Sequence, residues 1–298
     1  MNHCYQSLIY AHRGANREAA ENTRTAFERA LAYPIDGIET DIQLTRDGVA
    51  VLWHDRFLDK LGMKDKRIDD FDHAELQAMD FAAHFAGKAP LPNPPPAPPS
   101  PQSSPASGRG SKREEQLSIS AGEGANEALR ASSCNEGVMS LREFLDAYRT
   151  RCRLLLEIKN RDWEPVERHE AKVRQTLELV GAASGDQVLV SSFNLGSLVY
   201  AHRIAPQFPL VFNLEPEHDA AFAREVLDAQ PFLYGLCVHI ATLNEAMVGA
   251  VRERGKRIAV YTCNSDEQID RALALGVDIL ISDVPQKALA LRERMEHA

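Results

Sequence analysis

Residues 257–282 read RIAVYTCNSDEQIDRALALGVDILIS, and the order of patterns within them decides the fold. Arg257–Thr262 is a short apolar run with β-branched residues. Glu267–Leu275 then places apolar residues three and four apart and stops at Gly276, and Asp278–Ser282 is a second short apolar run. A strand, a helix and a strand in such close succession make a unit whose two strands run parallel, because the helix carries the chain back to its starting edge. Outward from this unit the same rhythm fills the chain. Strands are predicted over Leu8–His12, Gly37–Leu44, Arg153–Lys159, Val188–Phe193, Leu210–Leu214 and Gly235–His239. Helices are predicted over Thr23–Ala32, Leu141–Arg149, Pro165–Val180, Leu195–Ile204, Asp219–Ala229, Glu245–Arg254 and Gln286–Met295. An extra extended piece, Val49–His54, should pair with the second strand through a turn at Arg46-Asp47-Gly48. Eight β-then-α units in one run imply a single-domain α/β chain, residues 1–298, closed into a (β/α)8 TIM barrel. An open doubly wound sheet is the competing fold, but no Gly-x-Gly-x-x-Gly follows the first strand.

One stretch breaks the rhythm. From about Gly87 to Gly137 hydrophobicity collapses, and Pro90 to Pro105 holds over half of the chain's 16 prolines. Such a composition cannot bury enough apolar surface to fold alone, so 87–137 is expected to be a disordered, low-complexity insertion in one loop of the barrel. The remaining composition is that of a globular protein, with 44% hydrophobic and 26% charged residues among 298. A net charge of -9 repels a nucleic-acid backbone, so nucleic-acid partners are not expected. No apolar run reaches membrane-spanning length, and Met1 to Leu8 lacks the features of a signal peptide. Five scattered cysteines (Cys4, Cys134, Cys152, Cys237, Cys263) without Cys-x-x-Cys spacing read as reduced, mostly buried thiols of a cytoplasmic protein.

Charge gathers at the carboxyl ends of the predicted strands, where barrel enzymes build their sites. In Ile38-Glu39-Thr40-Asp41-Ile42 both carboxylates fall on one face and the aliphatics on the other. Leu156-Glu157-Ile158-Lys159 repeats this with a carboxylate and an ammonium. The first strand runs out in His12-Arg13-Gly14, and the extra piece in Trp53-His54-Asp55. A cluster serving only stability would pair Glu39 with Arg13 and Glu157 with Lys159. Otherwise such charges must hold a ligand. Three carboxylates without a neighbouring cysteine suit one hard divalent cation, Mg²⁺ or Ca²⁺. Arg13 and Lys159 suit an anionic oxygen group, and two histidines suit proton transfer near neutral pH. Together they point to phosphoester chemistry.

On these residues the chain resembles the glycerophosphodiester phosphodiesterase family. The matching stretches are His12-Arg13-Gly14, Glu21-Asn22-Thr23, Gly37 to Ile42, His54-Asp55 and Glu157-Ile158-Lys159. Further matches follow at Ser192-Phe193, Tyr261 to Asn264, Gly276-Val277-Asp278 and Ser282 to Pro285. The resemblance implies hydrolysis of a small-molecule glycerophosphodiester to glycerol 3-phosphate and an alcohol. It implies that Glu39, Asp41 and Glu157 bind the cation, that His12 and His54 are the acid–base pair, and that Arg13 and Lys159 contact the phosphate. Glu21 and Asn22 would belong to the same site loop, and Tyr261 would line the pocket wall where the family usually has Trp. The segment Leu58-Asp59-Lys60-Leu61-Gly62 also departs from the family's Arg-Thr-Thr. The nucleophile would be a water or the glycerol 2-hydroxyl, and Asp55 beside His54 favours His54 as the acid.

Other residues read more plainly. His239, at the end of its strand, is expected to be a hydrogen-bonded structural histidine, and His202 to lie on a helix surface. Phe193, Phe212 and Tyr261 are candidates for an apolar wall. A sugar-phosphate isomerase or aldolase would need glycines in the last two loops, which instead read Asn264-Ser265-Asp266 and Asp283-Val284-Pro285. A scaffold presenting Pro94 to Pro99 to groove-type domains would have no use for the charged strand ends.

Overall fold

The structure, a computed structural model, describes residues 6–85, 136–181 and 185–297. Its strands are β1 (Leu8–His12), β2 (Gly37–Leu44), β3 (Ala50–Leu52), β4 (Arg153–Ile158), β5 (Val188–Ser192), β6 (Leu210–Asn213), β7 (Gly235–His239), β8 (Arg257–Tyr261) and β9 (Ile279–Ser282). All but β3 are parallel neighbours in the order β1-β9-β8-β7-β6-β5-β4-β2. Pairing of Tyr10 with Gly37 joins β1 to β2 and closes the barrel. β3 folds back antiparallel on β2, with Ile42 opposite Leu52, as the turn at Arg46-Asp47-Gly48 leads one to expect.

The helices are α1 (Arg24–Leu31), the short α2 (His73–Gln77), α3 (Leu141–Tyr148), α4 (Val166–Val180), α5 (Leu195–Ile204), α6 (Ala220–Ala229), α7 (Glu245–Arg252), α8 (Asp266–Ala274) and α9 (Pro285–Glu296). Most of the long ones begin at a side-chain cap. Thr23, Ser140, Asn194, Asp219, Asn244 and Ser265 each accept a hydrogen bond from a backbone N–H of the first turn. Ser140 and Ser265 complete capping boxes with Glu143 and Gln268.

Strand alternation sorts the apolar residues into two cores. Ile38, Leu154, Leu156, Val190, Leu236, Ile258 and Leu280 point outward and meet the helices. Tyr10, Leu155, Leu189, Val211, Cys237, Ala259 and Ile281 fill the lumen. Phe212 points outward and belongs to the helix layer, so it cannot form part of a pocket wall.

Between β3 and α3 the chain makes a third, smaller core around Val51, Trp53, Leu58, Ile68, Leu76, Phe81 and Val138. Among the described residues this region contains α2 and three single 3₁₀ turns, none of which the hydrophobic period announces because each is shorter than two helical turns. The insertion expected over 87–137 lies outside the described residues, apart from Glu136 and Gly137. At its edges Phe81 N–H donates to the Glu136 carbonyl at 2.8 Å, so the chain leaves and returns at neighbouring points. Gly137 passes so close to the Gln77 carbonyl that a Cβ would stand 2.5 Å from it. Cys152, Cys237 and Cys263 are buried free thiols. Cys4 and Cys134 lie outside the described residues.

Candidate active site

At the end of β1 the backbone turns sharply. Arg13 has φ 58° and Gly14 φ 82°, and a Cβ on Gly14 would lie 2.7 Å from the backbone of Ala26. Only glycine tolerates that approach of the loop to α1. The turn aims Arg13 back over the barrel, where its Nε lies 3.0 Å from Asp41 Oδ2 and its Nη1 donates to Glu21 Oε2 at 3.2 Å. Asn22, also at positive φ (59°), donates its amide to Asp41 Oδ2 at 3.1 Å and accepts from Thr40 Oγ1 at 2.8 Å.

Glu39 and Asp41 from β2 and Glu157 from β4 are buried, and each offers an oxygen within 4.8 Å of the other two. Lys159 reaches Asp41 Oδ1 at 3.0 Å and Glu157 Oε1 at 2.5 Å. These are ion-pair distances without hydrogen-bonding angles: Glu39 Oε2, Asp41 Oδ1 and Glu157 Oε1 all lack a hydrogen-bond partner. Burial, and then the charge of Asp41, push the Glu39 carboxyl well above the usual carboxylate range. Burial opposes ionisation of Asp41 too, but Lys159 and Arg13 outweigh it and hold that carboxyl well below. Three buried carboxylate oxygens in one small volume, two of them facing the Lys159 ammonium, are a donor set for a hard divalent cation, which would supply the positive charge that Glu39 lacks.

His12 and His54 share one architecture. His12 Nδ1 lies 2.6 Å from Asp283 Oδ1, and its Nε2 turns inward, 3.8 Å from Glu39 Oε2. His54 Nδ1 lies 2.8 Å from Asp55 Oδ1. An ionised carboxylate only accepts, so in both rings Nδ1 carries a proton and Nε2 is left for chemistry. Asp283 is held in turn by Asn16 at 2.7 Å, by Asn264 at 2.8 Å and by Arg17 at 2.8 Å. Burial opposes its ionisation, yet His12, Asn16 and Arg17 keep its carboxyl well below the usual range. For His12, burial and next the Arg13 guanidinium lower the pKa despite Asp283. Asp55 falls to about 2 against the effect of burial, through His54 and Lys60.

Glu21, His54 and Asp55 also stand close enough to hold a metal. The Lys60 ammonium sits between the two acids, 2.9 Å from Glu21 Oε1 and 2.8 Å from Asp55 Oδ2, and takes the place a second cation would have.

The loop after β4 braces this assembly from behind. Arg161 donates to the carbonyls of His54 and Asp55, the latter at 3.1 Å. Gln43 also reaches the Asp55 carbonyl, at 2.9 Å, and the Trp53 carbonyl at 2.8 Å. Lys172 of α4, wholly buried, donates to the Lys159 carbonyl and to both oxygens of Glu164 at 3.0 and 2.9 Å. Burial lowers its pKa to about 8.

These groups surround a cavity of about 170 Å³ at the carboxyl ends of the strands. His12, Arg13, Glu39, His54, Glu157 and Lys159 line its rim. Phe193 and Tyr261 form a wall, with ring centroids 5.8 Å apart and edge to face. The Tyr261 hydroxyl is spent on the Leu214 carbonyl at 2.7 Å, which leaves the ring to face the cavity. His239 accepts from the Ala241 N–H at 3.2 Å and packs edge-on against Tyr261, as a structural histidine would. His202 is half-buried and stacked on Phe232 at 4.3 Å, so it is less superficial than its helix position implies.

The structure therefore brings His12, Arg13, Glu21, Asn22, Glu39, Asp41, His54, Glu157, Lys159 and Tyr261 to one mouth. Asn22 faces Asp41 and not the cavity. Arg13 is paired with Asp41 and Glu21, not with Glu39 as a simple ion-pair cluster would have it. Sequence reading missed the roles of Asp283, Lys60, Arg161, Glu164 and Lys172. Asp283 gave a signal, a carboxylate just beyond the last strand, but its partner stands 271 residues away.

Comparison with known proteins agrees with this geometry. A glycerophosphodiester phosphodiesterase of Bacillus altitudinis is 28% identical over 292 residues, which cover 97% of this chain and 99% of that protein. One of Caldanaerobacter subterraneus is 24% identical over 96% of this chain and 98% of that protein. Among solved structures, an Oleispira antarctica phosphodiesterase in complex with the product sn-glycerol-3-phosphate superposes with a TM-score of 0.72 at 21% identity, covering 97% of this chain and 98% of that one. At such low identity the structural likeness speaks for the barrel alone. The family description itself, glycerophosphoryl diester phosphodiesterase, matches residues 12–287. The chain thus belongs to the glycerophosphoryl diester phosphodiesterase family, and is a phosphoric diester hydrolase.

Proposed function

We propose that this enzyme hydrolyses glycerophosphodiesters to glycerol 3-phosphate and an alcohol, with one Mg²⁺ or Ca²⁺ held by Glu39, Asp41 and Glu157. The observation that carries this reading is the convergence of three buried carboxylates, each with an oxygen lacking a hydrogen-bond partner, on a cavity rimmed by two histidines that are each backed by a carboxylate. A cation bound there supplies Lewis-acid stabilisation of negative charge on the phosphoryl oxygens. Arg13 and Lys159 grip the same phosphate from the protein side. His12 is the base. Its Nε2 accepts the proton of the attacking hydroxyl as the new O–P bond forms: a water gives glycerol 3-phosphate directly, whereas the glycerol arm gives a cyclic phosphate that a water opens in a second displacement. His54 is the acid and gives its Nε2 proton to the alcohol oxygen as the old P–O bond breaks. Asp283 and Asp55 stabilise the two rings as imidazolium. Glu21 positions Arg13, Asn22 positions Asp41, and Tyr261 shapes the pocket.

The free, buried thiols of Cys152, Cys237 and Cys263 support a location in a reducing compartment such as the cytoplasm. No helix among the described residues is long and apolar enough to cross a membrane. The test is phosphodiester hydrolysis across a panel of head groups, with and without chelator. Release of glycerol 3-phosphate that stops on chelation is expected. Undiminished turnover in chelator would sink the metal assignment.

A further inference from the structure

Beneath the rim, the cavity runs down the barrel axis onto Leu155, Cys237 and Ile281. Two polar side chains interrupt this apolar floor, Ser191 of β5 and Asn213 of β6. Asn213 is only 4% exposed. Its Nδ2 donates to Ser191 Oγ at a long 3.4 Å, and its Oδ1 has no partner at all. Turning the amide over would leave Nδ2 unspent instead, so one end of the amide is free either way. A buried amide left unpaired destabilises a protein, and in a site it marks where a ligand completes the bond.

We propose that Asn213 reads a hydroxyl on the arm of the diester that the enzyme retains. The inference rests on the phosphodiesterase reading and adds which arm enters the barrel and what recognises it. With the phosphate at Arg13 and Lys159, one ester arm points to solvent and the other down the axis. A cavity of about 170 Å³ is smaller than the roughly 300–1,000 Å³ that drug-sized ligands need. It takes a short arm, and its floor suits a carbon chain bearing a hydroxyl, as a three-carbon polyol does. Ser191, 1% exposed, steadies the amide.

Two measurements test this. Hydrolysis of glycerophosphoethanolamine is compared with that of propyl phosphoethanolamine, which lacks both glycerol hydroxyls, in the wild type and in Asn213→Leu with cation present. The wild type should prefer the hydroxylated substrate by about 10²-fold or more in kcat/KM, since a site built to bond a hydroxyl rejects its deoxy analogue. In Asn213→Leu that ratio should collapse to within about tenfold. Losing an attacking hydroxyl would slow the analogue in both proteins alike and would leave the ratio standing, which would overturn the proposal. Equal rates on both substrates in the wild type would overturn it without any variant, even were Asn213→Leu not to fold. Calorimetric binding of glycerol 3-phosphate against propyl phosphate decides the point separately from turnover. Should no glycerophosphodiester of the head-group panel be hydrolysed, the proposed function fails. Tighter binding of glycerol 3-phosphate that Asn213→Leu abolishes would still support the hydroxyl site, and equal binding would refute it.

Discussion

At the floor of the barrel Arg153 meets Asp186 at 2.6 Å, and Asp278 takes both Arg257 at 2.7 Å and Arg252 at 2.9 Å, so each of these carboxylates is matched by a guanidinium. At the mouth, Arg13 and Lys159 both lean on Asp41, while oxygens of Glu39, Asp41 and Glu157 remain without hydrogen bonds. The floor has the larger cavity, about 210 Å³ against about 170 Å³. Among the described residues, its one buried polar atom without a partner is the Tyr10 hydroxyl, which is neutral. Volume therefore does not distinguish a site from a gap. What distinguishes them is charge whose valence the fold leaves unmet.

The sharpest way to break that contrast is at the acids. Glu39→Gln, and removal of divalent cations by chelation, should each lower kcat by about 10³-fold or more, because most of the acceleration in such reactions comes from stabilising the charge that builds up at the transition state. In chelator, the same substitution should raise the melting temperature by a few degrees, since it relieves a buried acid of its neighbour's charge. Activity lost together with stability would mean that Glu39 is structural.

The histidines come next. His12→Ala and His54→Ala should each cost about 10²–10⁴-fold in kcat, and the double variant much less than the product of the two. A substrate with a nitrophenolate leaving group needs no proton as it departs. It should rescue His54→Ala and leave His12→Ala impaired. The opposite pattern of rescue would exchange the two roles.

Much of this site was legible because a barrel turns strand alternation into geometry. Once Glu39 and Asp41 are two apart on a strand and Glu157 sits on another, all three must face the lumen near its mouth. Convergence from outside the strands was not legible. Asp283 meets His12 only because β9 closes beside β1. Lys172 looks like one more polar residue of an amphipathic helix, and only packing shows that it is fully buried under Lys159. The small core around Trp53 was hidden for another reason, since it is built from turns too short to carry a period.

At the floor, Tyr10→Phe should leave kcat/KM unchanged and stability unchanged or higher by up to about 1 kcal/mol, because it removes only an unpartnered hydroxyl. A loss of activity would show that the floor communicates with the mouth. The smallest effect is expected from excising residues 86–135 and joining Phe85 to Glu136 by a short linker. We propose that this low-complexity stretch is a tolerated excursion, because the chain re-enters where it left. The melting temperature should then move by no more than about 2 °C. A larger drop would mean that the stretch packs on the barrel.

Lys172 has one more consequence, which concerns protons. Its ammonium loses its proton near pH 8 in the folded protein, against a value of 10.5 in a free side chain. Between those values the unfolded chain binds a proton that the folded one has released, so stability contributed at this residue rises with pH. The charge on Lys172 is thus a strain carried at neutral pH to hold the Lys159 backbone in place, and mild alkali relieves it. Replacing Lys172 by Met should remove the slope: the stability of the wild type relative to that variant should climb from about pH 8 and level off above about pH 10.5. The backbone that presents Lys159 is therefore held by an ammonium whose contribution to stability is least below about pH 8.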